Sequence, residues 1–199
     1  MTSTSHDLHV YRARFSDIRR RRTDVVLDLG FGIEYTTTVA LTLPGSVGGR
    51  PVKDWLAERG NTSLVRLDVS KPGKLAGEVF DGDAPPYLYR ARDVRVIDGD
   101  TMEATLLPID GVAIKAKLRL VGLNVAEKNT GRGAHVAAFV RGWVDGQPEL
   151  LVETQRNHRE KYGRMLGTLR SAFTGVSLND LLLEHGLAVP YDGGAHAAA

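Results

Sequence analysis

The sequence predicts a β-rich α+β protein made of two tandem five-stranded barrels with capping helices. Short alternating segments rich in Val, Ile, Thr and Tyr, bounded by Gly, Pro and Asp, run through the chain and read as strands. Tyr11-Arg12-Ala13-Arg14 recurs as Tyr89-Arg90-Ala91-Arg92, and further matches follow in the same order, as a tandem duplication would leave them. Each half also sets a helical stretch among its strand segments. Five short strands with one or two helices suit a small Greek-key barrel such as the OB-fold, and the pattern leaves other α+β barrels open.

The matches between the halves run on past the first. Thr23 lies twelve residues after Tyr11, as Thr101 does after Tyr89. Val39 to Gly45 parallels Ala116 to Gly122, which sets Thr42 against Arg119. Trp55-Leu56 parallels Trp143-Val144, and Gly73-Lys74-Leu75-Ala76-Gly77 parallels Gly163-Arg164-Met165-Leu166-Gly167. The offset drifts from 78 to about 90, as loop insertions would make it.

In chain order, residues 1–8 read as a disordered leader. Asp24 to Leu29, Thr36 to Leu43 and Ser63 to Val69 have strand composition. Pro51 suits the first position of a short helix that turns Trp55 and Leu56 inward and ends at Gly60. Asp81-Gly82-Asp83-Ala84-Pro85-Pro86 forms a turn or linker, and its prolines leave no room for a further helix in the first half. In the second half Val136, Phe139, Val140, Trp143 and Val144 make the apolar stripe of an amphipathic helix, with both tryptophans in the core. Ser177 with Asp180 resembles a capping box opening a last helix that closes at Gly186. These elements divide the chain into 9–86, 87–191 and a disordered tail, 192–199.

Composition sets the outer limits. The chain has 199 residues, no cysteine and a net charge of +2. Disulfides and thiolate metal sites are excluded, and overall charge neither demands nor excludes a nucleic-acid partner. Met1 to Phe15 lacks the apolar core of a signal peptide, and no apolar run approaches the roughly 20 residues that cross a bilayer. A cytoplasmic protein without a membrane partner is the expectation. His135 and His158 lack neighbours at metal-ligand spacing and read as surface residues.

The chemistry concentrates in two stretches. Val94 to Thr101 is an alternating run ending in Asp98-Gly99-Asp100-Thr101. Lys117 to Glu127 carries Arg119 and ends in Asn124-Val125-Ala126-Glu127. Strand ends bearing oxygen donors can converge on a hard cation, with an arginine beside it for an anion.

Together with Tyr162-Gly163-Arg164, and with Leu178-Asn179 running to Gly186-Leu187-Ala188, these motifs resemble the staphylococcal-nuclease-like (thermonuclease) family over about Tyr89 to Tyr191. The resemblance implies an OB-barrel capped by helices and a divalent-cation-dependent phosphodiesterase acting on DNA or RNA. It implies Ca²⁺, with Mg²⁺ as a substitute, bound by Asp100, Asn124 and the Val125 carbonyl, with Asp98 in the outer shell. Arg119 and Arg164 would grip the scissile phosphate, and Glu127 would position or deprotonate the attacking water. Lys161, Tyr162 and Tyr191 would line the substrate pocket. One position departs from the family pattern: Asn124 stands where an aspartate usually ligates the metal, which removes a charge and lowers cation affinity.

The first half departs further. Arg20-Arg21-Arg22 stands against Asp98-Gly99-Asp100, and only Lys74 keeps a charge like that of Arg164. This half is expected to be a non-catalytic barrel whose arginines and Lys74 contact phosphates or simply face solvent. The alternative to an active nuclease is a catalytically weak or inactive tandem module that binds nucleic acid or a protein partner.

Overall fold

A computed structural model describes residues 8–19, 22–30, 32–43, 49–68, 75–82, 87–109, 111–159 and 164–191, with the side chains of 155–159 excepted. The leader, the tail, and the sequence-predicted residues Arg20, Arg21, Lys74, Lys161 and Tyr162 lie outside the described residues.

Two closed five-stranded barrels follow one another along the chain. The first comprises β1 (Val10–Ile18), β2 (Thr23–Asp28), β3 (Glu34–Thr42), β4 (Thr62–Asp68) and β5 (Ala76–Phe80), with the helix α1 (Val52–Ala57) between β3 and β4. The second comprises β6 (Tyr87–Val96), β7 (Thr101–Leu107), β8 (Ile114–Leu120), β10 (Leu150–Arg159) and β11 (Met165–Ser171). Between β8 and β10 it inserts β9 (Leu123–Val125) and α2 (Gly131–Asp145), and it continues past β11 into α3 (Leu178–Glu184) and β12 (Ala188–Pro190).

In each barrel the first three strands form an antiparallel meander, and the third strand pairs in parallel with the fifth. The fourth strand closes the cylinder against the first and fifth. Alternation along the strands fills the interiors, with Val25, Leu27, Val39 and Val65 in one barrel and Met102, Leu106, Leu118 and Val152 in the other, all nearly inaccessible.

The register corrects the internal alignment. Leu27 pairs with Ala13 and Leu106 with Ala91, so these leucines are equivalent. Continuing down the strands, Thr23 pairs with Val39 where Met102 pairs with Leu118. Thr23 is therefore the counterpart of Met102 rather than Thr101. Ala40, not Thr42, occupies the place of Arg119, and the parallel pairs Leu41–Gly77 and Leu120–Gly167 agree. Each first strand carries one bulge, with Asp17 and Asp93 at positive φ (45° and 52°), so the extra residue lies in the turn that follows: Ile18 pairs with Thr23 where Val96 pairs with Met102. A short sequence match had no means of registering that slip.

The helices follow their local chemistry. Pro51 serves as the cap residue of α1 rather than its first turn, and Trp55 and Leu56 are buried as expected. Thr130 caps α2 by accepting from the Gly133 amide, and Ser177 caps α3 by accepting from Asp180. Val136, Val140 and Val144 are buried, whereas Trp143 is only half-buried and covers the core from its rim. Gly186 ends α3 at positive φ (64°).

The barrels meet through a reciprocal contact. Tyr11 of β1 donates its hydroxyl to the Pro108 carbonyl at 2.5 Å, and Tyr89 of β6 donates to the Leu29 carbonyl at 2.5 Å. Tyr11 and Tyr89 are counterparts, as are Leu29 and Pro108, so each barrel's first strand reaches the second-strand exit of the other. Two residues before each tyrosine a second pair of contacts crosses between the barrels, with His9 Nδ1 at 2.8 Å from the Pro108 carbonyl and Tyr87 donating to Asp28 at 3.2 Å. Burial raises both tyrosine pKa values well above the usual phenol range. Gly30 makes the approach possible, since a Cβ there would lie 2.6 Å from the Tyr89 hydroxyl.

Candidate active site

One rim of the second barrel brings together Asp100, Arg119, Asn124 and Arg164, and strand pairing explains why. Thr101 at the start of β7 lies opposite Arg119 near the end of β8. β8 runs parallel to β11, whose first residue, Met165, lies beside Leu118, so Arg164 enters at the same edge. β9 follows immediately and returns Asn124 to this rim.

The contacts are direct. Arg119 places one terminal nitrogen 2.6 Å from Asp100 Oδ2 and donates from the other to Asn124 Oδ1 at 3.0 Å. The Thr101 hydroxyl donates to Asp100 Oδ1 at 2.8 Å and accepts from Arg164 at 3.3 Å. Asp98 meets the cluster from the turn: its Oδ1 accepts from the Asp100 amide at 3.2 Å, and its carboxyl group also interacts with that of Asp100. Gly99 is required in that turn, since a Cβ there would meet Val136 Cγ1 of α2 at 2.7 Å.

Asp100 is the electrostatic centre. Its side chain is 6% exposed and that of Arg119 15%. Burial pushes the Asp100 carboxyl up to about 6, and repulsion from Asp98 adds to this; Arg119 and the Thr101 hydroxyl pull it down but do not prevail. A cation at this carboxylate would remove that cost.

The remaining residues divide. Glu127 is exposed on the turn before α2, and no contact joins its carboxylate to the cluster among the described residues. Its backbone is nevertheless fixed. The Glu127 carbonyl accepts from the Thr130 amide at 2.9 Å and the Thr130 hydroxyl at 2.7 Å, and Gly133 passes so close that a Cβ would lie 2.0 Å from that oxygen. These contacts hold the shape of the turn. Val125 pairs with Ala188, and Tyr191 is tied through its amide to the Gly122 carbonyl at 3.0 Å, beside the β8–β9 turn. Arg22 is exposed and belongs to the other barrel.

Two residues had no assigned role in the sequence. Thr101 links Asp100 to Arg164, which only the rim geometry shows. Asn179 is buried and pins the site's edges: it accepts from the Leu169 amide at 3.2 Å and donates to the Val121 and Gly167 carbonyls at 2.9 and 3.4 Å. A polar residue at the start of an otherwise apolar helix face was the available signal.

No protein-family model matches the chain, and no curated protein matches it.

The donor set fits a hard cation. Asp100, Asn124 and the Val125 carbonyl are all oxygen donors, though only one of them is a charged ligand. No group of three His, Asp or Glu side chains suited to a metal gathers among the described residues. Arg119 presently occupies the oxygens of both Asp100 and Asn124. A cleft of about 400 Å³ lies elsewhere, on the first barrel between Arg12, Arg14, Asp28, Glu34, Phe80 and Asp81. It mixes charges of both signs, with Arg14 bonded to Glu34 at 2.9 Å. The rim carries the convergent chemistry, so the rim is the candidate. Among the described residues no helix is long and apolar enough to cross a membrane.

Proposed function

We propose that the second barrel is a divalent-cation-dependent phosphodiesterase of the staphylococcal-nuclease-like kind, hydrolysing DNA or RNA, and that both barrels are OB-folds. The reading rests on one observation: Asp100, Thr101, Arg119, Asn124 and Arg164 converge at one rim through contacts of 2.6–3.3 Å. The strand order, with the third and fifth strands parallel and the other pairs antiparallel, supports the fold assignment.

In this reading Asp100, Asn124 and the Val125 carbonyl would hold Ca²⁺, or Mg²⁺ in its place, with Asp98 in the outer shell, and the cation would supply positive charge to offset that of the phosphate. Arg119 and Arg164 approach from two sides of Thr101 and stabilise the extra negative charge that develops on phosphorus-bound oxygens. Asn124 holds the Arg119 fork in orientation. Glu127, exposed on a fixed turn, accepts a proton from the attacking water, while Lys161, Tyr162 and Tyr191 contact the nucleotide.

A second reading has its own support. Arg119 satisfies both Asp100 and Asn124 within the protein, so the rim is internally neutralised without a ligand. That favours a weak or inactive barrel that binds nucleic acid or a protein partner.

The deciding experiment incubates the full chain with single- and double-stranded nucleic acid in Ca²⁺, Mg²⁺ or chelator. Cleavage is expected with cation, and Arg119→Ala and Glu127→Gln should lose it. Binding without cleavage under every metal would reject the enzyme in favour of the module.

A further inference from the structure

The outer face of β8 carries charge that the site itself does not use. Lys115, Lys117 and Arg119 alternate along this strand and so share one side of the sheet, spaced about 6–7 Å apart. That spacing is of the same order as the separation of successive phosphates on an extended polynucleotide strand. Lys115 and Lys117 are exposed, and neither ammonium has an ion-pair partner among the described residues. Arg92 extends the row sideways, since Arg92 pairs with Thr105 and Thr105 with Lys115 across three strands. Two acids interrupt the face: Glu103 is engaged by Arg95 at 2.5 Å, and Asp93 accepts from Thr105 at 3.3 Å.

The duplicate strand shows that the fold does not need these charges. By the corrected register Thr36, Thr38 and Ala40 on β3 stand where Lys115, Lys117 and Arg119 stand on β8. The same barrel wall is built without a cation at any of the three positions. The ladder appears only in the barrel with the Asp100 rim, and β8 runs toward that rim.

We infer that Lys115 and Lys117 form a phosphate track that leads a single-stranded polynucleotide along β8 to Arg119 and Arg164. The track rests on the phosphodiesterase reading for its destination, and charge complementarity identifies its occupant. A single file of cations matches one phosphate backbone, as in single-strand grooves of small barrels.

The test measures binding of the full chain, in chelator, to a single-stranded oligonucleotide of about 12 nucleotides over a range of salt. Each phosphate contact on a single strand contributes about 0.7 to the slope of log K against log salt. Lys115→Ser/Lys117→Ser should therefore flatten the slope by about 1.4 and raise Kd about tenfold at low salt. Lys115→Arg/Lys117→Arg should restore both. With cation present, the serine pair should raise KM for the oligonucleotide and leave kcat, reducing its advantage over a dinucleotide about tenfold. Lys53→Ser/Arg141→Ser removes the same charge from exposed helix surfaces and should leave the slope as it was. An unchanged slope in the β8 variant, an equal loss in the helix variant, or no oligonucleotide binding by the full chain would overturn the track. Salt-dependent binding through these lysines without cleavage would support the track while rejecting the hydrolase.

Discussion

At equivalent positions of their rims the two barrels carry different equipment. In the second, Thr101 and Arg119 face each other across β7 and β8, and Asp100, Asn124 and Arg164 close around them. In the first, Ala40 stands for Arg119, Arg22 precedes the strand that starts at Thr23, and no acid pair is present in the Arg19 to Arg22 run. The interiors are alike, with the same strand order and the same inward alternation. A barrel of this size therefore needs its inward residues and its register, while the outward rim is free to diverge. The difference also explains an asymmetry of size. Among the described residues β9, α3 and β12 occur only beside the equipped rim, and Asn179 of α3 is tied to the Val121 and Gly167 carbonyls at the strand ends that carry it.

The comparison breaks most sharply through activity. Arg119→Ala and Arg164→Ala are each expected to lower the cleavage rate by about 10²–10³, by analogy with loss of one oxyanion donor. Arg22→Ser in the first barrel should leave it within error. A comparable fall in Arg22→Ser would place chemistry in both halves.

A buried acid at only one rim should show in stability. The Asp100 carboxyl is raised from 3.8 to about 6, so the folded state prefers it protonated. Its contribution is fully present below about pH 4 and is lost as pH rises through about 6, amounting to roughly 3 kcal/mol at most. Denaturant unfolding in chelator should show wild type losing stability relative to Asp100→Asn over that window. Parallel profiles for the two proteins would mean that Arg119 keeps the acid ionised.

Next in size is the turn beneath Glu127. Gly133→Ala drives a methyl group against the Glu127 carbonyl and should cost about 1–3 kcal/mol, read as a lower unfolding midpoint. Gly131→Ala, two residues earlier and in open space, should cost little. Equal effects would show that α2 adjusts freely.

The smallest effects test what the barrels share. Tyr11→Phe and Tyr89→Phe each remove one arm of the reciprocal contact, at about 1 kcal/mol apiece, although the Pro108 carbonyl keeps His9 beside it. Similar losses by calorimetry would support the pseudo-two-fold contact. A loss in Tyr11→Phe alone would make it one-sided.

Much of the fold was legible because it rests on local signals. Alternation showed the strands, Pro51 and Gly60 bracketed α1, and Ser177 marked the start of α3 correctly. The repeated Tyr-Arg-Ala-Arg string located the first strand of each barrel. The alignment slipped by two residues at Arg119, because the turn after β6 is one residue longer than its counterpart and the apolar pattern of β3 and β8 matches equally well when shifted by two. Trp143 reads as core by helical period, yet it is only half-buried against the core, while its neighbour Val144 is buried. Asp98, Asp100, Arg119, Asn124 and Arg164 were nameable as candidates from motif spacing. The role of Thr101 was not, because a hydroxyl has no distinctive pattern until its neighbours are placed.

The amino-acid sequence alone determined which residues alternate, where the chain turns, and that the chain contains two versions of one unit. Those properties depend on neighbours a few positions apart, whose periodicity and backbone preferences are local. Tertiary structure alone decided that Arg164, 64 residues after Asp100 in the chain, shares its rim through the Thr101 hydroxyl. It also decided that Tyr11 and Tyr89 exchange partners between barrels, and that Ala40 rather than Thr42 is the counterpart of Arg119. Each of these depends on strand register and barrel closure, which pair residues far apart in the chain and which bulges shift by single residues.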